Sequence, residues 1–269
     1  MDNLGVLLGI VSGLVLGAYL RHRHPARGRL ANLSQFALII LVATVAGILG
    51  GVGEHYLRLA AGTPSAGDVD KAMAAIRQQP LIGLVISESP ALEGEVRSAA
   101  EAELKNPAKT GPDRLWQLGA SIRQRFIIPA LRKASDEDAL NAVKAFQDLA
   151  SHLQRTSVPL CSELGKRGMQ RPDKLDRGAQ EIFKRTLETQ EIAYRNGKTA
   201  SPRPLPSDDQ VGQLFVKAGY QERDFEGLRR LEQLSDADAC AATVKLYGAP
   251  SRLSPQEGGV LARYILTIS

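Results

Sequence analysis

The sequence predicts an all-α protein: an N-terminal two-helix transmembrane hairpin followed by a multi-helix soluble domain. Three observations carry that expectation. Two uncharged apolar runs, 4–20 and 36–53, lie close together, and a short arginine-rich loop separates them. Beyond Glu54 the chain is punctuated by Ser-x-x-acid and Ser-x-x-Gln signatures, which mark the starts of capped helices. Aromatics make up only 5% of the 269 residues, whereas Ala, Leu, Arg and Glu are common, a balance that favours helices over a β-sandwich.

The first run reads LGVLLGIVSGLVLGAYL and the second FALIILVATVAGILGGVG. At the α-helical rise each covers about 26–27 Å, the short end of a membrane span. Hydrocarbon offers no partner to backbone N–H and C=O groups, so both runs must be helices. The loop between them is short, which makes the two helices antiparallel neighbours. A cleaved signal peptide is disfavoured, because positive charge follows the first run (RHRH) instead of preceding it (MDN).

Arg21, Arg23, Arg27 and Arg29 lie in the connecting loop, 21–35, and account for most of the net charge of +5. The positive-inside rule then places the loop in the cytoplasm and both termini outside it. In a bacterial cell this means an inner-membrane protein with a periplasmic soluble domain. Because the positive charge is clustered beside the membrane, lipid is the expected partner and nucleic acid is not.

Gly5, Gly9, Gly13 and Gly17 recur at every fourth position of the first span. Steps of four advance about 40° around a helix, so the four share one face and form a groove for close backbone approach. Gly47 and Gly51 offer a matching small-residue line on the second span. The stripe serves either packing within the hairpin or a homo-oligomer, and the motif alone does not distinguish them.

The soluble part divides into 58–197, a Pro-rich linker 198–206, and a C-terminal subdomain 207–269, after a hairpin domain 1–57. Its first helix begins near Asp68 and stops at Pro80. PLIGLVIS is either a helix turn or a strand, since periodicity does not separate the two over so short a run. Ser89-Pro90 opens the next helix, which ends at Asn106-Pro107. A longer pattern from Pro112 carries Leu115, Leu118, Ile122, Phe126 and Ile127 at helical spacing, with a kink expected near Ile128 because of Pro129. Ser135 and Asp138 form a capping box ahead of an apolar stripe of Val143, Phe146, Leu149 and Leu153. Pro172 is expected to begin a long polar helix that closes at Gly197. Four further helices follow at about 208–218, 222–234, 236–247 and 255–268.

Chemistry is sparse. The four histidines show no metal-ligand spacing, and no P-loop, dinucleotide fingerprint or nucleophile elbow is present. No catalytic, cofactor-binding or metal-binding residue is therefore expected. His152 and Asp148 lie one helical turn apart and read as a surface pair. Glu93 with Glu95, and Glu101 with Glu103, are two apart on a helix and do not converge. The basic segments GKRGMQR and YRNGKTASPRP read as solvated loops.

Cys161 and Cys240 are the only cysteines. In an oxidising compartment such a lone pair reads as one bridge, closing a loop of about 80 residues worth about 4 kcal/mol in the chain-entropy picture, with two buried free thiols as the alternative. The functional expectation is a membrane-anchored envelope protein whose helical domain binds another protein or acts as a scaffold. The alternative is an envelope enzyme whose site has no local motif.

Overall fold

The computed structural model describes residues 66–105 and 118–267, and the hairpin 1–57, with its glycine stripe and arginine loop, lies outside them. All regular structure among the described residues is helical. No described helix is long and apolar enough to cross a membrane.

Helix α1 covers Ala66–Arg77, α2 Pro80–Ser87 and α3 Pro90–Lys105. The ambiguous PLIGLVIS run is thus a helix. Pro80 sits in its first turn, where a missing N–H is harmless, and Leu81, Ile82, Val85 and Ile86 are buried. Its β-branched residues favour a strand locally, but no neighbouring strand supplies a ladder, and packing decides the outcome.

Residues 118–122 are α-helical and continue through a π-helical turn, Arg123–Ile127, into α4, Ile128–Leu131. Pro129 explains the π turn. In an ideal α-helix its ring would collide with the carbonyl of Arg125, and it has no N–H to bond there. The chain widens by one residue instead, and the Ile128 N–H reaches the Arg123 carbonyl. The kink expected near Ile128 takes this form.

Central to the fold is α5, Asp136–Thr156, capped by the Ser135 hydroxyl, which accepts from the Asp138 N–H. Its predicted stripe, Val143, Phe146, Leu149 and Leu153, is fully buried. Ser157 then breaks the helix, and Pro159 sits in the first turn of α6, Val158–Arg167, whose last turn takes in Gly165–Arg167 of a segment expected to be a loop.

The long helix differs from its expected bounds at both ends. Pro172–Lys174 is an isolated 3-10 turn, and α7 runs Arg177–Thr199. Asp176 displaces the start because its carboxylate accepts from the Ala179 N–H, a stronger cap than anything near Pro172 offers. Nor does Gly197 end the helix. It lies inside α7, where a side chain would overlap the Ala130 carbonyl oxygen.

After the linker come α8, Asp208–Lys217, with a full Ser207/Gln210 capping box, and α9, Glu222–Arg229. They are followed by α10, Asp236–Gly248, and α11, Pro255–Thr267. Helices α6, α7, α10 and α11 all pack on α5. Residues before and after the linker share one apolar core. Within it Phe146 of α5 stacks on Tyr247 of α10, with ring centroids 5.0 Å apart. Gly259 brings α11 against Asp136, where the buried Arg263 guanidinium pairs with the Asp136 carboxylate.

Candidate functional site

The cysteines are joined. Cys161 on α6 and Cys240 on α10 are both buried, with Cα atoms 5.1 Å apart and a formed S–S bond. Polar contacts line the same seam. Ser162 donates to Asp236 at 2.7 Å, and the Lys166 ammonium donates to the Leu234 carbonyl at 2.8 Å. The Ser162 hydroxyl and the nearby Lys166 charge hold the Asp236 carboxyl below the usual carboxylate range. Gly165 on α6 leaves the space that the Thr243 side chain fills. The bridge therefore staples two helices that already fit closely.

His152 does not pair with Asp148. Its Nε2 lies 3.1 Å from both carboxylate oxygens of Asp176, whereas Asp148 accepts from Arg185 at 2.9 Å. A tertiary contact between α5 and α7 has replaced the local pair expected from spacing. Asp176 is held low by the Ala179 amide first and His152 second. The imidazole–carboxylate pair resembles the orienting half of a general-base arrangement. Asp176, however, is engaged in capping α7, so the pair also has a full structural explanation.

A third cluster has no such explanation. Arg123, on the π turn, is fully buried, and its Nη2 donates to the Leu266 carbonyl near the end of α11 at 2.6 Å. Among the described residues its Nε and Nη1 have no partner, and neither does the buried Tyr247 hydroxyl. Burial pulls the guanidinium down to about 9, against a weaker opposing influence of Tyr247, and burial likewise pushes the Tyr247 phenol up. The carbonyl end of α11 supplies partial negative charge that compensates this cation in part. The sequence carried a signal for it: Arg123 lies one turn before Ile127, on the apolar face of its own helix.

On the surface, α8 presents a shallow depression lined by Asp209, Gly212, Gln213, Val216 and Lys217. Val216 is 60% exposed, and Leu205 in the adjoining linker is 46% exposed. Both belong to the few large hydrophobics among the described residues that face solvent. Lys217 at the edge pairs with Glu257 at 2.6 Å.

The basic segments expected as loops are partly helical, with Arg167 in α6 and Arg195 and Lys198 in α7, and most of their charges are engaged in ion pairs. Arg171 pairs with Glu163, Arg167 with Glu232, Arg195 with Glu191 and Lys198 with Glu88. The helical acids also diverge, Glu93 meeting Arg77 and Glu95 meeting Arg125. Among the described residues no group of His, Cys, Asp and Glu is placed to hold a metal ion. Compared with protein-family models, curated proteins and solved structures, the chain matches none.

Proposed function

We propose that this is a membrane-anchored envelope protein whose helical domain lies outside the cytoplasm and binds another protein. The observation that carries the binding role is the α8 face, where Val216 sits exposed in a shallow depression rimmed by polar side chains. An open surface of that shape suits a protein side chain better than a small substrate, which is commonly held in a concave, enclosing pocket. The Cys161–Cys240 bridge supports the location, since a stable structural disulfide belongs to an oxidising compartment. The hairpin is the anchor, with lipid as its immediate partner and the glycine groove packing either within the hairpin or between copies of the chain.

A photo-crosslinking residue in place of Val216 tests the binding role in intact membranes. The expected result is a discrete higher-mass adduct, absent when the same probe replaces the exposed Lys184 on α7. Identical patterns at the two positions would remove the reason for assigning binding to α8.

A further inference from the structure

The geometry points to a conformational device: the helical segment 118–128 opens as a unit about Pro129, and the burial of Arg123 sets how often it does so. The two sides of Pro129 are attached differently. Downstream, Ala130 is pressed against Gly197 of α7, and Lys133 donates to the Lys198 carbonyl at 3.0 Å. Leu131 and Ala134 are buried there as well. Upstream, the polar attachments to other described elements are the Arg123–Leu266 bond and the surface pair Arg125–Glu95 at 3.1 Å.

The hinge itself has a physical basis. Pro129 has no N–H to continue the helical ladder, and the π turn before it already departs from α-helical bonding. Pro129 is exposed, so motion there disrupts no packing of its own side chain. In the closed form the guanidinium has lost water from Nε and Nη1 without gaining protein partners, and the Tyr247 hydroxyl has done the same. Opening returns all three groups to solvent. The apolar contacts of Ile122 and Ile127 oppose it, so the closed form dominates and the open form is a minor state. A buried cation held by one neutral carbonyl, with Nε and Nη1 unpaired, favours the open state, whereas an apolar side chain of similar length favours the closed one.

Hydrogen exchange read by mass spectrometry on the full-length, detergent-extracted protein tests this. Amides of 118–128 are expected to exchange at least tenfold faster than those of the buried face of α5. Arg123→Met is expected to slow them at least threefold while α5 is unchanged. Equal protection of the two segments, or exchange in Arg123→Met as fast as in the wild type, overturns the proposal. A second measurement needs no variant. Phenylglyoxal should modify Arg123 in the native protein more slowly than the exposed Arg125 but measurably, and no modification of Arg123 once Arg125 is consumed overturns it too.

Discussion

Gly197 of α7 sits against the carbonyl oxygen of Ala130, so closely that a Cβ at position 197 would overlap it. The contact joins the longest described helix to the segment that follows Pro129, and backbone on both sides leaves little that can move. Gly197→Ala should therefore destabilise the domain by about 1–3 kcal/mol, the usual range for overpacking. A thermal or urea midpoint equal to the wild type would show that the two helices are not in contact at this point.

Gly94 in α3 and Gly227 in α9 provide the opposite case, because a Cβ at either has nothing within 4 Å. Both lie inside helices, where glycine has the larger entropy loss on folding. Gly94→Ala and Gly227→Ala should each raise stability by about 0.5–1 kcal/mol. Destabilisation by either in the same unfolding assay would mean that its helix is packed on that side.

Removing the bridge is a separate test of how the C-terminal helices are held. The Cys161→Ala, Cys240→Ala double variant should lose about 3–4 kcal/mol, less whatever the close fit of Gly165 and Thr243 retains. It should still fold, because α10 and α11 also pack on α5. An unchanged unfolding midpoint would mean that the bridge contributes nothing to this fold.

Acid stability follows from carboxylates that are held low. In the folded protein Asp176 is lowered by the Ala179 amide and His152, and Asp236 by the Ser162 hydroxyl and Lys166. A carboxyl with a depressed folded pKa stabilises the protein above its unfolded value and loses that contribution as pH falls through the folded one. The contribution of these two groups should therefore be constant from about pH 7 to about pH 5 and decline below about pH 4, near the ordinary Asp value. Asp236→Asn should flatten the decline in a pH series of thermal melts, and a slope identical to the wild type would contradict the assignment.

Topology is tested with single cysteines introduced at Asn32 and Ser201, which should be labelled from opposite sides of the membrane. Labelling of Ser201→Cys from the cytoplasm alone would reverse the orientation and remove the argument for an oxidising compartment. Gly9→Leu should leave insertion intact, since it raises hydrophobicity, while disturbing association along the stripe. A smaller detergent-solubilised species would place the groove between chains, and labelling sensitivity at Ser34 within the hairpin. No change in either assay would remove the argument for a packing role.

What the sequence by itself determined is local: the helical class, most helix starts, and the core stripe of α5. Ser135, Ser207 and Ser235 were legible because each cap satisfies an orphan backbone donor within three residues of itself. The cysteine pair was legible as well, because with only two cysteines a single intrachain pairing exists. Tertiary structure decided the rest. It turned PLIGLVIS into a helix, kept Gly197 inside α7, and paired His152 with Asp176 instead of Asp148. Each of these outcomes depends on a group that is distant in sequence or on an orientation that spacing does not encode. The same holds for Arg123, whose position on an apolar face was readable but whose missing partners were not. Hydrogen-bond satisfaction inside a core is a property of the packed chain, where the removal of water makes each unpaired group costly.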